Sequence, residues 1–530
     1  MLVIPVPVPD QNGTAMDLTF KLIALAIYFI AMLAIGAYAF FKTRGGDEYM
    51  LGGRQLHPFT AALSAGASDM SGWLVMGLPG ALYISGLVEA WLAVGLTIGA
   101  ALNWYFVAPR LREYTKAADD SITVPSFFGN RLTDRTRLLR IVAGLVILVF
   151  FAFYVSSGMV AGGKFFESMF GGNYLLGMLL VAAVTLAYTL FGGFLGATYT
   201  DVVQGMIMLV SLLLVPVVAI FAVGGPIEMW HSIQQVNPDF TSMTKGATGV
   251  GVLSSLAWGL GYFGQPHIIV RFMALRSAKD AKAGLVFGVG WMILCVLGAI
   301  FTAMAGLAFF QQNGDSGLTD TKNGESVFLD LAQIMFHPLI AGFVLAAVLA
   351  AIMSTLSSQL VVTSSALVED LVGGFGVSLG AKAKLWAGRG AVLAVAIFAG
   401  ILAANPNSSI LDLVGFAWAG FGSAFGPIIL LSLFWRRLTN IGALAAMIGG
   451  AVVAFWWGQA TPDVSWGLFP GDEHLYEIVP GFAVALILAI VVSLVTPKPS
   501  ERTLQQFDQV RANVRGTADA QTAAAEDATV

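Results

Sequence analysis

Three segments of this 530-residue chain set oxygen ligands, a carboxylate and aromatic rings inside long apolar runs. The first is Ser64-Ala65-Gly66-Ala67-Ser68-Asp69-Met70-Ser71-Gly72-Trp73, small and polar residues around one carboxylate. A charge at the centre of a bilayer costs about 2.5–3.5 kcal/mol on insertion scales. Glycine and serine also weaken a helix locally, and unwound backbone at that depth is tolerated only where it lines a cavity or is buried in protein. The second is Leu256-Ala257-Trp258-Gly259-Leu260-Gly261-Tyr262-Phe263-Gly264-Gln265-Pro266-His267. Pro266 removes a backbone donor and disturbs the preceding turn, and the aromatic rings could pack a solute or face an ammonium; taken singly, each such ring is more often core or lipid-facing than ligand-binding. The third, Leu349–Gln359, places Ala351, Ser354 and Thr355 at i, i+3 and i+4, on one helical face. Two hydroxyls and a carbonyl there can point to one spot, and free carbonyls from the Ala67–Met70 turn would complete the oxygen shell of a small hard cation. Mid-helix Ser and Thr also bond back to the preceding turn, so spacing alone leaves both readings open.

Such chemistry needs helices that span a bilayer. The chain is 57% hydrophobic and 11% charged, against roughly 25% charged in soluble domains, and its mean hydropathy is +0.81. A crossing helix requires about 20 mostly apolar residues. Thirteen such stretches are expected, near 18–41, 58–82, 87–108, 138–161, 174–192, 199–224, 251–274, 284–310, 338–367, 386–404, 409–434, 440–459 and 476–496. An amphipathic stretch, Ser326–Phe336, reads as a separate short helix, and the tail from Lys498 reads as solvated and partly disordered. The proline-rich start lacks a basic segment and does not read as a cleavable signal peptide. With thirteen spans, 23 of the 27 Lys and Arg residues fall on one side, leaving only Lys21, Lys164, Lys245 and Lys322 on the other. That asymmetry predicts the N-terminus outside and the C-terminus inside.

Several functional classes are disfavoured. A net charge of −4 without a basic patch argues against nucleic acid. The single Cys295 and five scattered histidines argue against a metal cluster. The chain has no G-x-x-x-x-G-K-[ST] loop for ATP, no visible nucleophile–base pair for an enzyme, and no repeated pore loop for a channel.

The first two interrupted segments lie in the expected second and seventh spans. An offset of five, being odd, sets them in opposite directions across the membrane, as in an inverted-repeat transporter. Glycines in such segments can also serve close helix packing.

At these residues the sequence resembles the sodium/solute symporter family. The resemblance rests on Leu63–Trp73, Trp258–His267, Ala350–Leu356 and Ala417–Pro427, with the loop Leu51-Gly52-Gly53-Arg54, and runs from about Ala39 to Val495. The first two segments resemble the proline-carrying branch. The resemblance implies an all-α membrane protein with two inverted five-helix repeats, spans 2–6 and 7–11, helices 2 and 7 being interrupted. It implies sodium held by the carbonyls of Ala67, Met70 and Ala351 and the hydroxyls of Ser354 and Thr355, with Asp69 required for sodium use without necessarily touching the ion. It implies a substrate pocket at Ser71, Tyr154, Trp258, Tyr262 and Pro266, with Gln265 beside them. Asp201 matches a position linked to ion release; an acidic residue at a helix N-terminus is the competing reading.

The expected organisation is an outside N-terminus, first span and inner loop (1–57), the first repeat (58–224), an outer loop (225–250), the second repeat (251–434), two peripheral spans (435–497) and a cytoplasmic tail (498–530). The expected activity is sodium-coupled uptake of L-proline by alternating access in a bacterial inner membrane. The alternatives are another solute (a different amino acid, a vitamin-like carboxylate or a sugar), protons in place of sodium, or a membrane sensor. The roughly 33-residue tail is short for a signalling domain, which typically needs about 50 residues or more.

Overall fold

The computed structural model describes residues 15–42, 51–314, 318, 324–377, 379–404, 409–459 and 474–527. Among these residues every long element is a helix, and the lone β-bridge pairs Leu56 with Leu275. Ten helices are long and apolar enough to cross a membrane. That criterion falls short of the expected thirteen because the second and seventh spans are assembled from short pieces and the fifth is the shorter helix Tyr174–Leu190.

The chain opens with α1 (Ala15–Lys42). The broken second span is α2 (Pro58–Asp69), a π-helical turn (Trp73–Gly77) and α3 (Leu78–Ser85). α4 (Ala90–Leu102) continues through a π-helical turn (Asn103–Val107) into α5 (Ala108–Ala117), and α6 (Val124–Arg131) lies between spans. α7 (Leu138–Phe170) is followed by α8 (Tyr174–Ala222), which turns back at Gly193 with φ 56° and ψ −152°. Only glycine visits that conformation readily, so one residue does the work expected of a six-residue loop. The expected outer loop holds a helix of its own, α9 (Pro226–Val236). The broken seventh span is α10 (Gly249–Ala257), a 3-10 turn (Trp258–Gly264) and α11 (Pro266–Met273).

There follow α12 (Asp280–Asn313), the short α13 (Val327–Met335), and α14 (Pro338–Ser365), which runs on as a π-helical turn to Val372. α15 (Ala381–Leu402), α16 (Ile410–Phe434), α17 (Asn440–Gln459) and α18 (Ile478–Val495) complete the bundle. The tail forms α19 (Glu501–Asp527), a helix where partial disorder was expected, and most of its described side chains up to residue 516 are exposed. Phe507 and Val510 form a buried stripe on it, and Phe507 lies against Tyr114 and under the Arg131 guanidinium.

Loop contacts sort the molecule into two ends. At one, Arg502 pairs with Asp119, Arg436 with Asp508, Arg140 with Asp370, and Arg112 bonds the carbonyls of Leu275 and Arg276. At the other, Lys164 pairs with Glu325, Lys21 bonds Gln333, and Trp91 bonds the carbonyl of Met243. The segments expected to share a membrane side therefore do meet. Lys322 and Arg44 lie outside the described residues, and Arg271 leaves the loop tally because α11 buries it in the core. α14 and α16 are almost wholly enclosed, whereas α1, α15, α17 and α18 turn large apolar residues outward, as lipid-facing helices do.

Candidate functional site

α2 starts cleanly, with the His57 side chain accepting from Phe59 N and Pro58 at the first helical position. It stops at Met70, whose φ and ψ are −80° and 78°. The Asp69 carbonyl, left without a helical donor, accepts from Ser71 N (2.9 Å), Trp73 Nε1 (3.0 Å) and Tyr154 Oη (3.4 Å). A Cβ on Gly72 would lie 2.8 Å from that of Ala161, so α7 packs directly on the opened turn.

α14 approaches the same turn. Ser354 Oγ lies 2.6 Å from the Ala67 carbonyl and 3.1 Å from the Ala351 carbonyl. Thr355 Oγ1 donates to the Ala351 carbonyl at 3.2 Å. Ala67, Ala351, Ser354 and Thr355 thus form one buried cluster of oxygens, and Met70 ends α2 three residues beyond Ala67. Thr355 makes the ordinary back-bond, while Ser354 also reaches across to another helix. A small cation bridging those oxygens would replace weak hydroxyl–carbonyl bonds with ion–oxygen contacts.

The seventh-span break is held differently. Added Cβ atoms on Gly259 and Gly99 would run into the facing backbone, one at Gly95 and the other at Gly259. On the opposite side, one on Gly261 would run into the Trp418 indole and one on Gly264 into the Phe421 carbonyl. The 3-10 turn is therefore wedged between α4 and α16. Its freed polar groups find partners there: Trp418 Nε1 donates to the Trp258 carbonyl (2.7 Å), Asn103 Nδ2 to the Tyr262 carbonyl (2.9 Å), and Gln265 Nε2 to the Trp418 carbonyl (3.1 Å).

The two breaks meet at Asp69. Tyr262 Oη donates a short hydrogen bond to Asp69 Oδ2. The Ser71 backbone N–H and the Tyr154 and Tyr262 hydroxyls therefore all donate to Asp69 in the opened turn. Trp258 stands on the α16 side, stacked on Tyr476 at 5.0 Å and 18°. Pro266 faces a separate cavity of about 20 Å³ with Ile122, Thr123, Val270 and Val362, toward the arginine-rich end. The six expected pocket residues thus do not all face one space. The Tyr262–Asp69 bond links the expected solute pocket to the turn expected to hold sodium.

Asp201 lies well inside the second arm of α8, which starts at Gly192, and is fully buried. That overturns the helix N-terminus reading. Its Oδ2 accepts from Ser64 Oγ (2.7 Å), Arg271 Nη2 (3.2 Å) and Ser358 Oγ (3.4 Å). Arg271 also donates to Ser64 Oγ, Ser358 Oγ and the His267 carbonyl. The pair ties α2, α8, α11 and α14 together just beyond the oxygen cluster. Sequence reasoning assigned no role to Arg271, Trp418, Asn103 or Tyr476. Trp418 lies within the quoted Ala417–Pro427 segment, and Arg271 was counted as a loop residue; Asn103 and Tyr476 carried no local signal.

Two broken helices that face each other and are bridged by the Tyr262–Asp69 bond are the arrangement of a membrane carrier of the inverted-repeat type. The profile of the Sodium:solute symporter family matches residues 49–450. The chain belongs to that family. It is 52% identical to the osmoregulated proline transporter of Bacillus subtilis, over 92% of this chain and 97% of that protein. It is 46% identical to the sodium/proline symporter of Haemophilus influenzae, over 92% and 97% respectively. A sodium-coupled sialic acid symporter, solved substrate-bound and outward-open, shares its fold with a TM-score of 0.75 at 20% identity, covering 91% of this chain and 99% of that one.

Proposed function

We propose that this protein couples the entry of sodium to the uptake of L-proline by alternating access, carrying its solute rather than converting it. The observation that carries this reading is that the opened turn after α2 is bonded both to α14, Ser354 to Ala67, and to the other broken helix, Tyr262 to Asp69. The names of its relatives supply the substrate.

In this reading sodium binds between the opened turn after α2 and the hydroxyl face of α14. Its ligands are the carbonyls of Ala67, Met70 and Ala351 and the hydroxyls of Ser354 and Thr355. Filling that site fixes the turn carrying Asp69 and Ser71, and so orders the solute site. By linkage, solute raises sodium affinity by the same factor. Ser71, Tyr154, Trp258, Tyr262, Gln265 and Pro266 surround the solute along its route. An apolar ring suits the aromatic rings, and the positive N-terminal end of a half-helix suits a carboxylate. Asp201, held by Arg271, lies on the path by which the ion leaves.

The protein sits in the bacterial inner membrane with its N-terminus outside and α19 in the cytoplasm. Residues 58–224 and 251–434 form the two repeats, and α17 and α18 are peripheral. One charge crossing 100 mV supplies about 2.3 kcal/mol, and a tenfold sodium gradient adds about 1.4 kcal/mol. Together these sustain a several-hundredfold gradient of a zwitterion at one-to-one coupling, roughly 3.7 kcal/mol in all.

The test is labelled proline uptake into proteoliposomes with and without an inward sodium gradient at fixed pH. Uptake should follow the sodium gradient. Uptake driven equally by a proton gradient, or full competition by unrelated solutes, would overturn the assignment.

A further inference from the structure

α19 follows α5 in a fixed register. Gln506 Nε2 donates to the Ala117 carbonyl, and Phe507 lies against Tyr114. Further along, Arg511 and Arg515 come close enough to Arg110 to repel it. The contact thus moves along α5 from Ala117 to Arg110, toward the span expected at 87–108. Phe507, Arg511 and Arg515 succeed one another at four-residue steps and so share a helical face. The seating of Phe507 under the buried Arg131 orients that face, and it brings the two arginines beside Arg110.

Other arginines at this end have carboxylate partners: Arg502 with Asp119, Arg436 with Asp508, Arg140 with Asp370 and Arg276 with Asp280. Among the described residues, Arg110, Arg511 and Arg515 have none. Neighbouring like charges destabilise a surface, so this grouping gains from an anion. The Arg110 guanidinium lies 4.4 Å from the centroid of the Phe434 ring. On its membrane side, Tyr105, Phe106 and Phe434 are large exposed rings, Phe106 in edge contact with both others. Exposed aromatic rings at the end of a span are usual at a membrane–water interface. Arginine forks match phosphate oxygens. Three unanswered arginines above an apolar aromatic wall therefore complement a molecule that is anionic at one end and hydrocarbon at the other. A free phosphate would use the arginines and leave the rings uncovered.

We propose that Arg110, Arg511 and Arg515 bind the phosphate headgroup of an anionic phospholipid whose acyl chains lie along Tyr105, Phe106 and Phe434. The headgroup offsets the repulsion between α5 and α19. This site goes beyond solute transport and does not depend on which solute is carried.

Native mass spectrometry of the purified full-length protein, titrated with dioleoyl phosphatidylglycerol or dioleoyl phosphatidylcholine, tests this. Wild type should bind one phosphatidylglycerol at least about tenfold more tightly than phosphatidylcholine. Arg511→Gln combined with Arg515→Gln should weaken phosphatidylglycerol about 25-fold, at roughly fivefold for each arginine removed. Both side chains are exposed, so the fold is not at stake. Arg276→Gln combined with Lys279→Gln takes the same charge from exposed positions at the same end, and should change the affinity by no more than about twofold. Excess inorganic phosphate should not displace the lipid. Equal binding of the two lipids by wild type, or unchanged phosphatidylglycerol affinity in the α19 pair, would overturn the site. An equal loss in the control pair would reduce it to diffuse surface charge, and displacement by inorganic phosphate would make the occupant a soluble anion, either of which also overturns the proposal.

Discussion

The two broken helices meet at Asp69 and Tyr262 but are held open by opposite means. The turn after α2 is open because donors from elsewhere take its carbonyls: Trp73 and Tyr154 at Asp69, and Ser354 at Ala67. The Trp258–Gly264 turn is shaped chiefly by close backbone packing, with glycines against α4 and α16 and three hydrogen bonds finishing the fit. A turn held by exchangeable hydrogen bonds can respond to an ion, because the ion competes for the same oxygens. A turn wedged between two helices moves only with them. The first break is thus suited to sensing sodium, and the second to transmitting helix motion to the solute.

The largest effect on transport should come from filling the wedge. Gly261→Ala places a methyl group in the Trp418 indole, and overpacking of this kind costs about 1–3 kcal/mol even where neighbours adjust. Proline transport should fall at least about 100-fold, which corresponds to roughly 2.7 kcal/mol. Gly205→Ala is the control, since its Cβ would meet Ala67 Cβ at an ordinary 3.5 Å. Uptake assays on the two variants at matched membrane levels measure the contrast; equal activities would mean that the second break is not sterically set.

Next comes the pair that fastens both broken helices on the arginine-rich side. Arg271→Leu leaves the Asp201 carboxylate buried without its cation, a loss of about 3–5 kcal/mol when one partner of a buried pair is removed. The thermal midpoint of the purified protein should drop by several degrees. Asp201→Asn combined with Arg271→Leu should recover part of that drop. Thr355→Ala should act more locally. It deletes one oxygen of the α14 cluster, so the sodium concentration for half-maximal uptake should rise about tenfold, a change of roughly 1.4 kcal/mol. Proline affinity at saturating sodium should stay within about twofold, or roughly 0.4 kcal/mol.

How much of this was legible in sequence depended on whether the signal was local. The break after α2 was visible because Ser64–Trp73 packs small and polar residues into an apolar run. The α14 face was visible because Ala351, Ser354 and Thr355 share a helical period. The burial of Arg271 was not, because an arginine next to a loop looks like any other until α11 turns it toward Asp201 on a distant helix. The grip of Trp418 on Trp258 spans 160 positions, and no local pattern announces such a pairing. The docking of α19 as a helix was not legible because its composition is polar overall; a three-residue apolar step, Phe507 to Val510, suffices to seat it on the bundle.

Single-atom changes sharpen the comparison most, because one hydroxyl bonds the first break and another sits on a ring stacked against the second. Tyr262→Phe and Tyr476→Phe both delete a hydroxyl and keep the ring. The Tyr262 hydroxyl donates to a carboxylate, Asp69 Oδ2, and hydrogen bonds to charged groups are worth about 1.5–3 kcal/mol. Sodium-dependent proline affinity should therefore weaken about tenfold or more in Tyr262→Phe. The Tyr476 hydroxyl donates to a neutral carbonyl, Gly415 O, at 2.7 Å, and the ring keeps its stack on Trp258 without it. A neutral bond is worth about 0.5–1.5 kcal/mol, so Tyr476→Phe should cost about two- to tenfold in proline affinity, with sodium half-saturation unmoved. If both variants shift sodium dependence equally, the two breaks respond to the ion as one unit. If only Tyr262→Phe does so, the hydrogen-bonded break is the ion-sensitive one and the wedged break follows it.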